Sequence, residues 1–303
     1  LWSVLSAICT TLNSGSVDAY IYDTVQAINP DEYPKVISRI SAISLIVQAI
    51  SFLIGGWVAD SLGFNYALLL SGIGGVLQTI IIFTTYEPPV NNKEVIKKIE
   101  SAHSLLKQFT RQITTSFKVL FQNHITRTML LYGIVFFLLM EFVRIIYQPY
   151  FSDLGFNTKS AISLLSASFL IITALSGIVI SKINTRKNEK LLLIFFSIGL
   201  CLPLLLLSFP TVSMVAFILF YIAVGGGQVI IPTIMNRYIP SDKRATILSA
   251  QNQIGSLSYA IFALLIGNLI DRVNIPMGAL IVGLLFSLFF LFLLAGKDLK
   301  DDH

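Results

Sequence analysis

Long apolar runs separated by short polar clusters divide the sequence from end to end. The runs are longer than ordinary strands and lack strict apolar–polar alternation, so they predict helices. About 20 apolar residues suffice for a helix to cross a bilayer. By that measure nine spans are expected, near residues 1–22, 36–58, 66–85, 129–150, 160–180, 190–209, 213–235, 246–270 and 276–296. The one long interruption, residues 87–128, has its own period. Ile99, Ala102, Leu106, Phe109, Ile113, Phe117 and Leu120 recur every three or four residues among lysines and polar groups. That spacing predicts an amphipathic helix lying in the membrane interface, the alternative being a plain linker.

Composition supports this picture. Of 303 residues 55% are hydrophobic and 12% charged, where a soluble domain carries roughly 25% charged. The class is an all-α integral membrane protein. A net charge of +5 raises the question of nucleic acid, but its placement gives another answer. Basic residues gather in loops on one side: Lys35 and Arg39; Lys93, Lys97, Lys98, Lys107, Arg111, Lys118 and Arg127; Lys182, Arg186, Lys187 and Lys190; Arg237, Lys243 and Arg244; Lys297 and Lys300. The opposite loops hold only Lys159 and Arg272, and Arg144 alone lies within a span. Positive loops stay cytoplasmic. The expectation is therefore a multi-pass protein of the cell membrane with a cytoplasmic C-terminus and no nucleic-acid partner. Cys9 and Cys201 sit in apolar runs and read as buried thiols, not as a disulfide or a metal site. No metal site or cofactor is expected.

A shift of 211 positions overlays the first three spans on the last three without a gap. Gly15 meets Gly226, Ala49-Ile50 meets Ala260-Ile261, Leu53 meets Leu264, Gly56 meets Gly267, Asp60 meets Asp271, Leu69 meets Leu280, and Gly72 meets Gly283. Identity is low, but span edges and loop lengths agree as well. Spans 4–6 then have no counterpart, and the chain opens on Leu1 already inside an apolar run. The expectation is a fragment of a six-plus-six helix protein with its first three helices missing. Residues 1–86 would be the second part of an N-terminal bundle, 87–128 a cytoplasmic linker, and 129–303 a C-terminal six-helix bundle. Parallel halves of this kind are a transporter architecture, with the substrate site between them.

Four strings, in this order and spacing, resemble the major facilitator superfamily: SGSVDAYIYD at 14–23, GGWVADSLG at 55–63, YQPYFSDLG at 147–155 and IPSDKRATILS at 239–249. The resemblance covers the whole chain as the family's fourth to twelfth helices. Two departures stand out. The echo of the family's Gly/Asp/Arg loop, GIVISKINTRK at 177–187, has Ser181 where an Asp is often found. The antiporter signature would need Gly-Pro four residues before Gly55-Gly56, where this chain has Ser51-Phe52. That motif gives no support to export by proton exchange.

The resemblance implies that the family's first, fourth, seventh and tenth helices line a central cavity. The corresponding spans here are the polar ones. Span 1 has Thr11, Ser14, Gly15, Asp18 and Tyr22 at helical spacing. Span 4 has Glu141, Arg144 and Gln148 on one face, with Tyr147 beside them. Span 7 has Tyr221, the run Gly225–Gly227, Gln228 and Pro232. Spans 190–209 and 276–296 are almost wholly apolar, as lipid-facing helices should be. Charged groups inside a span are costly and usually face a cavity or a partner. Substrate-binding or coupling roles are therefore expected for Asp18, Tyr22, Glu141, Arg144, Tyr147, Gln148, Tyr221 and Gln228. The bland alternative for Glu141 and Arg144 is a structural pair with the arginine snorkelling outward. Asp23, Arg39 and Arg244, at cytoplasmic helix ends, are gating candidates, with solvated helix-end charges as the alternative. The glycine run with Pro232 reads either as a flexible gate or as close helix packing. Within otherwise structural polar stripes, Gln48 and Tyr259 are the exceptions read as binding residues.

The function expected is secondary transport of a small organic solute by alternating access, in a monomer, with proton coupling among the options. A non-transporting receptor or sensor of the same fold is the runner-up. An enzyme or ATP-driven pump is disfavoured, because the chain contains no G-x-x-x-x-G-K-[ST] loop and no H-E-x-x-H.

Overall fold

A computed structural model of the chain describes Thr24 and residues 33–84, 124–183, 189–238 and 244–295. Among the described residues there are eight long helices and no strand: α1 (Tyr33–Ser61), α2 (Phe64–Thr84), α3 (His124–Asp153), α4 (Lys159–Ile180), α5 (Glu189–Leu206), α6 (Ser213–Tyr238), α7 (Arg244–Val273) and α8 (Ile275–Ala295). A 3₁₀ turn, Pro210–Val212, precedes α6. All eight are long and apolar enough to cross a membrane. The first expected span and the amphipathic stretch up to residue 123 lie outside the described residues.

Helix ends differ from the apolar windows for physical reasons. α3 begins at His124 and ends at Asp153, because hydrogen-bonded helix continues past the point where side chains turn polar. α5 stops at Leu206, short of the expected residue 209. Phe209, held extended at φ −113° and ψ 101°, precedes Pro210, whose ring disfavours helical backbone at the residue before it.

The chain divides into two compact units, residues 1–99 and 100–303. In the first, α1 and α2 pack as a helical hairpin. Gly63 turns the chain between them at φ +101°. Adding 211 to its landmarks reproduces the hairpin of α7 and α8 in the second unit: Tyr33 maps to Arg244, Phe64 to Ile275 and Thr84 to Ala295. Gly63 maps to Asn274, which is also left-handed, at φ 76°. Asn tolerates that region better than most side chains, and its Oδ1 also accepts the Met277 N–H at 3.1 Å. Thus the sequence shift carries structure with it, down to the backbone sign at the turn.

In the second unit α6 is the hub. Its three glycines are successive residues, so they point in three directions about the helix, and each seats a different neighbour. A Cβ on Gly225 would press into the backbone of Thr173 on α4. One on Gly226 would meet the Ile180 side chain of α4 and lie 2.7 Å from the Phe196 ring of α5, and one on Gly227 would lie 2.5 Å from the Phe136 ring of α3. The helix runs unbroken through Pro232. Of the two readings of this run, close packing is what the structure displays. The Ser176 hydroxyl donates to Ile222 O at 2.6 Å and ties α4 to α6. Tyr132 ties α3 to α5 by donating to Leu193 O at 2.7 Å, with Ser197 Oγ 3.0 Å away. α5 and α8 approach closely at Gly283, where an added Cβ would lie 2.9 Å from Leu205, 3.1 Å from Leu204 and 3.3 Å from Cys201 O. Their other faces expose Leu191, Phe195, Ile198, Leu284, Leu285, Leu288 and Phe292, side chains suited to lipid.

Candidate functional site

The site grows from one stripe of α3. Met140, Glu141, Arg144, Tyr147 and Gln148 recur three or four residues apart and share a face of the helix. Arg144 lies nine residues before the helix end at Asp153, about 14 Å along the axis. Glu141 is nearly buried, its side chain 12% exposed, whereas that of Arg144 is 64% exposed. The Arg144 Nε donates to Glu141 Oε2 at 2.8 Å, and Nη2 donates to the same oxygen. Two donors therefore converge on one oxygen, which differs from the parallel two-oxygen clamp of an optimal Arg–carboxylate pair.

Beside the pair runs an ordered hydrogen-bond chain. Ser166 on α4 gives its single hydroxyl hydrogen to Ile162 O at 2.8 Å. Tyr147, buried on α3, must then donate to Ser166 Oγ across 3.0 Å. Its phenol oxygen in turn accepts from Gln148 Nε2 at 2.8 Å. Gln148, at the head of the chain, is exposed.

Two more helices contribute phenols. Tyr221 of α6 is stacked on Phe169 of α4, with centroids 4.6 Å apart and planes 10° from parallel. Its hydroxyl is within electrostatic reach of Tyr147 and Arg144. Tyr259 of α7 meets Phe137 edge-on at 6.2 Å and brings its phenol beside the Arg144 guanidinium. Gln228 of α6 is exposed and donates to Met140 Sδ at 3.4 Å.

The structure thus brings together Glu141, Arg144, Tyr147, Gln148 and Tyr221, with Gln228 reaching the stripe through Met140. Asp18, Tyr22 and Asp23 lie outside the described residues. Arg39 lies within α1 and Arg244 opens α7, but their side chains are outside what is described. Ser166 was not legible beforehand, since nothing distinguishes it from Ser163 and Ser168 in the same run. Tyr259 carried a weak signal, a phenol in a polar stripe. The site presents one open guanidinium with a buried counter-ion, three phenols and two amides. Such a set of groups is chemically suited to binding and orienting a polar solute.

The comparisons with known proteins agree with this fold. The family model of the Major Facilitator Superfamily matches residues 1–263, and the chain belongs to that superfamily. It is a multi-pass membrane protein of a family of transporters. No curated protein and no solved structure matches it.

Proposed function

We propose that the protein moves a small organic solute across the cell membrane by alternating access, and that the Arg144 face of α3, with Tyr221 and Gln228 of α6 and Tyr259 of α7, binds that solute. The observation that carries this reading is the exposure of Arg144. A guanidinium this deep in an apolar helix is costly, yet it is 64% exposed while its partner is nearly buried. A purely structural pair gains by burying both charges in good geometry. This one leaves the cation open, among phenols and amides that can fix a ligand.

Asp18 and Tyr22 remain solute or coupling candidates on sequence grounds, and Asp23, Arg39 and Arg244 gating candidates. We assign residues 1–86 to an N-terminal bundle, 87–128 to a cytoplasmic linker and 129–303 to the C-terminal bundle, with the C-terminus in the cytoplasm and the monomer as the working unit. Transport in place of catalysis accords with the family.

Uptake of labelled solutes into vesicles, with and without a pH gradient, tests the proposal in wild type, Arg144→Gln and the double variant Glu141→Gln/Arg144→Gln. Losing Arg144 alone strands a buried carboxylate, which is destabilising, whereas removing both partners of a structural pair is often tolerated. The solute-site reading expects transport to fail in both variants while the double melts near wild type. A double variant that transports normally would sink it.

A further inference from the structure

We infer that the solute presents an N–H or O–H donor to the side-chain oxygen of Gln148, and that Ser166, acting through Tyr147, is the positioning residue that turns this oxygen outward. This rests on the reading of the Arg144 face as the solute site. Gln148 is exposed on that face, about one turn beyond Arg144. Its amide can offer a solute either of two ends, an oxygen that only accepts or an NH2 that only donates. The hydrogen-bond chain behind it selects the end.

Ser166 has one hydroxyl hydrogen and gives it to Ile162 O at 2.8 Å. The Tyr147 phenol, 3.0 Å from Ser166 Oγ, places its only hydrogen there. The phenol oxygen is then left solely as an acceptor. It is therefore Nε2 of Gln148 that faces it, at 2.8 Å, and Oε1 is the end turned away. The reversed chain would run from Ser166 to Tyr147 to Gln148 Oε1 and turn the NH2 outward. It would also forfeit the Ser166 bond to Ile162 O, so the observed direction holds one more hydrogen bond. Tyr147 and Ser166 are both buried, where a lost bond is not replaced by water.

Gln228 of α6 is turned in the same sense. Its Nε2 donates to Met140 Sδ at 3.4 Å, and a thioether accepts but cannot donate. Met140 and Gln148 are eight residues apart on α3, about 12 Å along its axis, with Arg144 midway. The face thus sets amide acceptors on either side of one guanidinium. A solute with its donors capped by methyl groups would leave those oxygens without a hydrogen to accept.

Binding to the purified protein, measured by thermal shift and calorimetry, tests this with pairs that differ in capped donors: lactate and 2-methoxypropanoate, mannitol and permethylated mannitol, nicotinamide and N,N-dimethylnicotinamide. Wild type should bind the uncapped member of at least one pair and prefer it about three- to tenfold, the worth of one neutral hydrogen bond. In Ser166→Ala the Tyr147 hydrogen has Gln148 Oε1 as its remaining acceptor. The amide then turns over, and the preference should swing to the capped member. A preference set by size alone would not swing. Ser166→Thr, which restores a hydroxyl, should keep the wild-type preference. So should Ser168→Ala, because Ser168 donates within its own helix, to Leu164 O. Tyr147→Phe leaves the amide unheld and should flatten the preference. A readout free of any solute is the side-chain amide NMR signal of Gln148 in protein carrying isotope-labelled glutamine, identified by its loss in Gln148→Leu. It should move in Ser166→Ala and Tyr147→Phe and stay in place in Ser168→Ala.

A preference that survives Ser166→Ala, or a Gln148 signal unmoved in that variant, overturns the inference, as does a panel in which no member binds. If capped and uncapped members bind wild type alike and both are lost in Arg144→Gln, the donor inference falls while the solute-site reading stands. If the preference swings as expected but Arg144→Gln binds both members like wild type, Gln148 serves a site apart from Arg144, and it is the solute-site reading that falls.

Discussion

Gly225→Ala offers the sharpest probe of how the second unit is assembled. The added methyl would fall well inside van der Waals contact of Thr173 O, and would lie 2.8 Å from Thr173 C and 2.9 Å from its Cα. All three are backbone atoms, so no rotamer change relieves the clash. Ordinary contact needs about 3.5 Å or more, so α4 and α6 must part by roughly 1 Å. The Ser176–Ile222 hydrogen bond, at 2.6 Å, would stretch beyond useful length. Overpacking costs about 1–3 kcal/mol and the lost bond about 1 kcal/mol. Alanine returns up to ~1 kcal/mol through helix propensity, leaving a net loss of about 2 kcal/mol. For a unit the size of residues 100–303 that is a fall of about 4–8 °C in melting temperature, read from intrinsic fluorescence of the detergent-solubilised protein. Gly255→Ala is the control, because its nearest neighbour, the Phe137 ring, would be 3.5 Å away, an ordinary contact. Equal melting temperatures for the two variants would refute the close approach of α4 and α6.

Two further outcomes follow from the same packing. Tyr132→Phe removes the hydroxyl that binds Leu193 O and Ser197 Oγ, and should cost about 0.5–1.5 kcal/mol while leaving vesicle uptake unchanged; a loss of uptake at normal melting temperature would make Tyr132 part of the transport path. Gly63→Ala places a Cβ on backbone at φ +101° and should lower stability by roughly 1–2 kcal/mol, whereas Gly63→Asn, the residue at the equivalent Asn274, should cost less; a reversed order of melting temperatures would sever the two hairpins.

Hydropathy alone determined the spans, because a bilayer sets one length and one polarity for every helix that crosses it. It located eight described helices to within about five residues at each end, and it exposed the 211-residue repeat that reappears in helix ends and turn conformation. Helical spacing also put Glu141 and Arg144 on one face, since residues three apart are neighbours on any helix. What the pattern left undecided concerns contacts between helices. A run such as Gly225–Gly227 has the same sequence whether it flexes or packs, and only the positions of Thr173, Phe196 and Phe136 around it show it to be a packing hub. The partners of Tyr147 and Arg144 were likewise hidden. Ser166 and Tyr259 lie on other helices, and which serine or phenol reaches the stripe depends on helix rotation and crossing, quantities that periodicity along one chain does not encode. The unequal burial of Glu141 and Arg144 has the same origin: the two side chains share a helix face, but neighbouring helices cover one and leave the other open.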